Sequence, residues 1–331
     1  MEGSGGGAVG WGAIQDMRVC GVVTQSFSVF SVRARLFAII ALTLTLPLCF
    51  VVLAHYLAID PLISRIDRYE DVADIEPSVR RHITLDRIRL GLLVACYLLL
   101  VLIFALLSTA ATIYSVACIY TKRVLTFRKV MHVLPRVWGR LLITFLWAFI
   151  FVFLLVGAFL AVVFFVLLVF YSLNRILAEI LWWIATLIFA AALFHFTCIF
   201  NLATAISVLE DTYGIKALKK SSNLIKGKRL DAYCLYAYFL VFMAAIITGF
   251  DLASMNLSSI GVRVLIAIVF ALLMAFADQF GIIVFTILYF ICKAYHHENI
   301  DLLALSEHLG VYAGEYVNLR AAIQMEGLQH V

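Results

Sequence analysis

Long uninterrupted runs of apolar residues, separated by short polar segments, dominate the chain. Six windows are long enough to cross a hydrocarbon core of ~30 Å, which takes about 20 residues as a helix. None shows the alternation of apolar and polar positions expected of a barrel strand. Backbone polar groups in lipid must be satisfied within their own segment, so these runs predict helices. The predicted spans are 36–58, 90–119, 141–173, 177–209, 232–254 and 264–292.

Composition agrees with this interpretation. Of 331 residues, 65% are apolar and 14% are charged, whereas soluble domains average ~45–50% and ~25%. The stretches outside the spans are too short to bury a conventional soluble core. We therefore predict an all-α fold, an integral membrane bundle of six transmembrane helices over 36–292. A Gly-rich cytosolic N-terminus, 1–35, precedes it and a cytosolic tail, 293–331, follows it.

The distribution of Lys and Arg predicts the orientation, because basic residues concentrate in short cytosolic loops. Loops 120–140 and 210–231, after the second and fourth spans, are rich in them, whereas the connections at Arg175 and Arg263 are not. In the 59–89 loop arginines are offset by acidic residues, as in a solvated lumenal connection. Both termini are thus expected in the cytosol.

The two basic loops each contain a candidate interfacial helix. Apolar residues recur at helical spacing over 122–140, where Pro135 is expected to introduce a kink. In 213–227, Gly227 is well placed to end the second helix. The apolar stripe predicted for this second helix consists of Ile215, Leu218, Ser222 and Ile225.

Basic amphipathic segments beside a membrane are typical of contact with anionic lipid headgroups. The alternative is that these charges only enforce the topology. The candidate headgroup-binding residues are Arg128, Lys129, Arg136, Lys216, Lys219, Lys220 and Lys226.

Ionisable residues inside the apolar runs are the other site candidates, because a charge at the bilayer centre costs at least ~2.5–3.5 kcal/mol. Asp278 lies near the middle of the sixth span, and His195 is central in the fourth, with Asn201 nearly two turns later. Asp251 falls near the lumenal end of the fifth span. Asp278 and His195 could form a proton-coupled or substrate-contacting pair, or each could be a structural polar contact.

Nothing in the chain indicates catalysis. The Ser and Cys residues lack a partnered base, and the sequence His296-His297-Glu298 resembles a metal cluster only superficially, because adjacent helical residues point apart. We expect no enzymatic activity, cofactor or metal. The basic loops are too short and too close to lipid to indicate nucleic-acid binding.

Short motifs suggest modification and sorting. Asn256 begins an N-glycosylation sequon in the predicted lumenal turn after the fifth span. This turn is expected to lie too close to the membrane for modification, so the sequon serves mainly as a check of the topology. The tail resembles an acidic dileucine signal and a tyrosine-based signal, which adaptor proteins bind as an extended strand. An amphipathic tail helix explains the two leucines equally well. The motif residues are Glu298, Leu302, Leu303, Tyr316 and Leu319.

Two runs of residues resemble known families. The first is Val208-Leu209-Glu210-Asp211, Tyr213-Gly214, Ala217-Leu218-Lys219-Lys220-Ser221 and Leu224-Ile225-Lys226-Gly227. It is similar to the signature of a membrane-domain superfamily that includes the membrane domain of some glycerophosphodiester phosphodiesterases. With the tail, the pattern resembles a plant family of uncharacterised polytopic membrane proteins, some labelled as interacting with a poly(A)-binding protein. The tail run includes Tyr289-Phe290-Ile291-Cys292-Lys293 and His296-His297.

The phosphodiesterase catalytic domain has no counterpart in the chain, so the resemblance implies no such activity. We expect a non-catalytic endomembrane protein in membrane organisation or trafficking, which contacts lipids or adaptor proteins through its cytosolic face. The alternative is a transporter or lipid-handling protein that uses Asp278 and His195. The ligand, the oligomeric state and the choice among Golgi, vacuolar and plasma membranes stay open.

Overall fold

The computed structural model describes residues 18–47, 77–121, 127–170, 175–255 and 260–296. All regular secondary structure in these ranges is helical, which confirms the predicted all-α class for this part of the chain. The helices are α1 (Val19–Val32), α2 (Ala34–Ile40) with a following π-helix (Ala41–Thr45), α3 (Pro77–Tyr120), α4 (Phe127–Phe170), α5 (Arg175–Leu209), α6 (Ile215–Leu224), α7 (Arg229–Met255) and α8 (Ile260–Tyr295).

Five of these helices, α3, α4, α5, α7 and α8, are long and apolar enough to cross a membrane. They fit an integral membrane protein. A sixth crossing requires α1 and the segment Ala34–Thr45, which are bent by 88° relative to each other, to form one broken span. The structure thus differs from the sequence expectation here, because helix is already present at Val19, within the segment assigned to the N-terminal tail.

Two helices are much longer than a membrane crossing requires. Both α3 and α4 contain 44 residues and are therefore about 66 Å long at 1.5 Å per residue. Pro135 lies inside helix α4, which continues on both sides of it. The interfacial helix was predicted over 122–140; its described part, 127–140, forms the first turns of α4 and is not a separate element.

Backbone contacts divide the chain into two compact units, and each is described by itself. The first consists of Met1–Gln25, Ile113–Tyr233 and Phe285–Val331, and the second of Ser26–Thr112 and Cys234–Val284. In the first unit, fully buried side chains include Leu202, Ile206, Ile225, Ile287 and Tyr289.

The second unit contains a polar cluster among apolar side chains. Gln279 is 1% exposed. Its amide nitrogen donates to Thr112 Oγ1 at 2.8 Å, and its amide oxygen accepts from Thr45 Oγ1 at 3.2 Å. Thr45 Oγ1 also lies 2.7 Å from Ser108 Oγ. Hydrogen bonding of this kind satisfies polar side chains that would otherwise be costly in an apolar environment.

Candidate functional site

One face of helix α6 packs on neighbouring helices of the protein. It lies against α5 and α4, and Ser221 Oγ donates to the Ile199 carbonyl at 2.5 Å. Its fully or nearly buried residues are Ala217, Leu218, Ser221 and Leu224, and Ile225, the residue after the helix, is also buried. The predicted stripe is therefore only partly correct, because Ile215 is 44% exposed and small residues at 217 and 221 allow the close approach to α5.

The start of α6 is fixed by Gly214 and Thr144. Gly214 has φ 65° and ψ −137°, a conformation that residues with a Cβ atom rarely adopt. Its N–H donates to Thr144 Oγ1 at 2.7 Å, and Thr144 Oγ1 also lies 2.8 Å from Ser207 Oγ. The first turn of α6 is thus tied to α4 and α5.

The turn after α6 is fixed by Gly227 and His296. Gly227, predicted to end the helix, has φ +96° in the turn that follows Leu224. His296 Nε2 lies 3.1 Å from the Leu224 carbonyl oxygen and 2.9 Å from that of Lys226. Because carbonyl oxygens only accept hydrogen bonds, Nε2 carries the hydrogen atom. The turn is thereby joined to the end of α8.

Glu210, the residue after α5, joins three helices through its carboxylate. Oε1 accepts hydrogen bonds from Tyr289 Oη at 2.7 Å and Lys293 Nζ at 2.8 Å. Oε2 accepts one from Lys220 Nζ at 2.8 Å. The Glu210 side chain is 15% exposed, so these charge-assisted bonds lie in a partly desolvated environment where they are stronger than at the surface.

These partners also determine the ionisation of Glu210. Burial alone raises its pKa, but hydrogen bonds from Lys220, Lys293 and Tyr289, with the positive charge of Lys293, outweigh it and lower the pKa below the ordinary value. Glu210 is therefore a carboxylate that its neighbours hold ionised. The adjacent Asp211 instead pairs with Arg140 of α4 at 2.6 Å.

Lysine side chains of α6 and the following turn surround an open cavity of about 680 Å³. No carboxylate is among the described residues that line it. Lys220 is paired with Glu210, and Lys226 Nζ donates to Asn223 Oδ1 at 2.7 Å. A concave surface with excess positive charge attracts anions. The lining residues are Lys216, Lys219, Lys220, Asn223, Leu224, Lys226 and His296.

The cavity brings together four of the candidate headgroup-binding residues, Lys216, Lys219, Lys220 and Lys226. The other three belong to α4 and are not among the residues that line it. There, Arg128 and Arg136 are exposed and Lys129 is half-buried.

The structure gives the intramembrane candidates different surroundings. In the first unit, Tyr233 Oη lies 2.7 Å from His195 Nδ1, and Asn201 is half-buried. In the second unit, Asp251 is exposed and Asp278 is half-buried. Asp278 makes no hydrogen bond or ion pair with any described residue, whereas its neighbour Gln279 is hydrogen-bonded to Thr112 and Thr45. An Asp278–His195 pair stays a prediction.

Six other candidates lie outside the described residues. They are the sequon residue Asn256 and the sorting-motif residues Glu298, Leu302, Leu303, Tyr316 and Leu319. Within the described ranges, no group of three or more His, Cys, Asp or Glu side chains could hold a metal ion.

Sequence reasoning assigned no role to Glu210, Tyr289, Lys293 or His296. All four belong to the two runs, 208–227 and 289–297, that the sequence analysis singled out, and the structure brings residues of those runs together. Glu210 contacts Tyr289 and Lys293, and His296 contacts the turn after α6. Both runs stand out in the sequence as motifs, and that was the signal that could have pointed to these residues.

A family model described as a domain of unknown function (DUF8558) matches residues 12–328. No curated protein and no solved structure matches the chain. Because the family match extends over nearly the whole sequence, the chain belongs to the DUF8558 family.

Proposed function

We propose that this is a non-catalytic membrane protein that binds anionic lipid headgroups in the lysine-lined cavity and so organises the membrane around it. The observation that supports this function is the cavity itself, in which Lys216, Lys219 and Lys226 face no carboxylate among the described residues. Such an arrangement stabilises a bound anion by direct Coulomb attraction.

The cavity's place in the chain favours a lipid as the source of the anion. Helix α6 lies in the connection between α5 and α7, both of which are candidate membrane spans. Basic side chains close to an anionic membrane surface contribute ~1 kcal/mol each. A headgroup at the membrane boundary is thus near enough to be bound by lysines of this connection.

The proposed topology has six crossings, with α1 and α2 forming one broken span, and both termini in the cytosol. It places the cavity on the cytosolic face, in agreement with the excess of basic residues there. An endomembrane location, in the Golgi, vacuolar or plasma membrane, and adaptor binding through the tail belong to the same proposal. The likeness to the plant polytopic family and its superfamily supports a role within the membrane.

Lipid-dependent thermal stability tests this function. A ligand that binds only the folded state raises the melting temperature. We expect phosphatidylserine, added to the purified protein in neutral detergent, to raise the melting temperature more than phosphatidylcholine does. The triple variant Lys216→Gln, Lys219→Gln, Lys226→Gln is expected to lose that difference.

The matched control is Arg128→Gln, Lys129→Gln, Arg136→Gln, which removes the same amount of charge from α4. It is expected to retain the response to phosphatidylserine. If both triple variants lost the response to phosphatidylserine equally, the response would come from unspecific electrostatic attraction. If the cavity variant kept the full response, headgroup binding in the cavity would be refuted.

The alternative is a transporter or lipid-handling protein that uses Asp278 and His195, and the residue that distinguishes it is Asp278. This residue is half-buried in α8 without a hydrogen bond or ion pair to any described residue, as expected of a side chain that binds a mobile partner. The two functions differ in their response to Asp278→Asn, which should abolish transport but leave headgroup binding intact.

A further inference from the structure

The cavity carries more positive charge than one ordinary phospholipid headgroup would neutralise. Lys220 is already paired with Glu210 at 2.8 Å. Lys216, Lys219 and Lys226 line the same space and have no carboxylate partner among the described residues. The cavity therefore presents about three uncompensated positive charges.

A phosphodiester carries one negative charge and would leave most of this charge unpaired. A phosphate monoester carries about 1.5 to 2 negative charges near neutral pH. A headgroup with one phosphodiester and one phosphate monoester thus carries roughly 2.5 to 3 negative charges. That total matches the charge of the three lysines that have no carboxylate partner among the described residues.

The size and neutral polar groups of the cavity fit a headgroup larger than a lone phosphate. Its volume of about 680 Å³ lies within the range of about 300 to 1,000 Å³ typical of small-molecule sites. The Asn223 amide oxygen accepts a hydrogen bond from Lys226, which leaves its NH₂ group as a donor. His296 uses Nε2 for backbone carbonyls, so Nδ1 is left for a ligand hydroxyl.

On these grounds, and resting on the proposed headgroup function, we propose that the cavity selects a lipid whose polyol headgroup carries a phosphate monoester in addition to the phosphodiester. Lys216, Lys219 and Lys226 neutralise the phosphates, and Asn223 and His296 bind hydroxyl groups of the polyol. The Lys220 ammonium group stays paired with Glu210 at one wall of the cavity.

Binding of water-soluble, short-chain lipids to the full-length protein in neutral detergent tests this selection. The probes are a short-chain phosphatidylinositol monophosphate, the same lipid without the added phosphate, and inositol bisphosphate as the free headgroup. We expect the added phosphate to tighten binding by about tenfold or more, equivalent to one or two further lysine–phosphate contacts. The Lys216→Gln, Lys219→Gln, Lys226→Gln variant should lose this preference, whereas Arg128→Gln, Lys129→Gln, Arg136→Gln should keep it.

The three probes also separate the sources of the phosphate. Tighter binding of the phosphorylated lipid than of inositol bisphosphate supports a membrane ligand, and equal binding of the two would overturn the lipid assignment in favour of a soluble phosphate ester. Equal binding of the two lipids would overturn the selection, while cavity-dependent binding of both would leave the proposed headgroup function standing. If the wild-type protein bound none of the three probes, both the selection and the proposed headgroup function would be refuted.

Discussion

Lys293 Nζ donates a hydrogen bond to Glu210 Oε1 at 2.8 Å, although the two residues are 83 positions apart in the chain. The other oxygen of the same carboxylate binds Lys220 at 2.8 Å. Since Lys220 lines the basic cavity, the Glu210 carboxylate connects the packing of α5, α6 and α8 with the position of one cavity wall. A substitution of Glu210 should therefore change both the stability of the fold and the binding of anions in the cavity.

Replacing Glu210 by Gln is expected to destabilise the protein by about 1 to 3 kcal/mol, because Lys220 and Lys293 lose their counter-charge while partly buried. Thermal unfolding of the purified protein in detergent measures the effect. The control is Glu179→Gln, which removes the partner of Arg175 in an exposed pair with side chains 63% and 74% exposed. A surface pair of this kind contributes less than about 1 kcal/mol. Equal effects of both variants would contradict the role of Glu210.

The stability contributed by Glu210 should depend on pH. Its pKa in the folded protein lies below the ordinary value of 4.5, so the ionised carboxylate stabilises the fold fully above pH 4.5. That contribution is lost as the pH falls below 4.5 towards the folded-state pKa. The difference in melting temperature between wild type and Glu210→Gln should thus be constant above this pH and narrow below it. A difference that widened on acidification would contradict the assignment.

Replacing Gly214 by Ala should disrupt the start of α6. The φ of 65° and ψ of −137° at this position cost about 1 to 3 kcal/mol for other residues. A Cβ atom would also lie 3.2 Å from Trp147 Cδ1 and 3.3 Å from Ile143 Cγ2. We expect a lower melting temperature and a weaker response to anionic lipid.

The control for Gly214 is Gly139→Ala in α4, where an added Cβ atom has no neighbour within 4 Å. It should leave stability unchanged or raise it by up to about 1 kcal/mol, since alanine favours helix. If Gly139→Ala were as disruptive as Gly214→Ala, the special backbone conformation at Gly214 would not explain the result.

Two neighbouring residues of α8 should respond differently to substitution. Gln279→Leu removes the hydrogen bonds to Thr112 and Thr45 and is expected to cost about 0.6 to 2 kcal/mol. Asp278→Asn keeps the size of the side chain and removes no hydrogen bond or ion pair with a described residue, so it should change stability by less than about 0.5 kcal/mol. Thermal unfolding compares them, and a larger loss in Asp278→Asn would show that Asp278 has a structural role.

The features that the sequence predicts best are the positions of the long apolar helices. The fourth span, predicted at 177–209, corresponds closely to α5, Arg175–Leu209, because a long apolar run in lipid has few alternatives to helix. The bend of 88° between α1 and α2 was not predicted, because the first apolar window begins only at Leu36 and the residues before it were assigned to the N-terminal tail. Gly227 was identified because a positive φ has a distinctive residue preference.

Contacts between segments that are far apart in the chain could not be predicted from the pattern of apolar and polar residues. The lysines of α6 were visible as headgroup candidates, but the cavity they form also needs His296, which reaches the Leu224 carbonyl across 72 positions. On the buried face of α6, Ser221 likewise donates a hydrogen bond to the backbone carbonyl of Ile199, which is 22 residues earlier in the chain. Periodicity within one helix gives no information on which neighbouring backbone that helix meets.

Native mass spectrometry of the gently purified protein tests the central claim most directly, because it identifies the lipids that remain bound. We predict that wild type retains an anionic lipid, that the Lys216→Gln, Lys219→Gln, Lys226→Gln variant loses it, and that Arg128→Gln, Lys129→Gln, Arg136→Gln keeps it. The same bound lipids on all three proteins, or no anionic lipid on wild type, would contradict headgroup binding in the cavity.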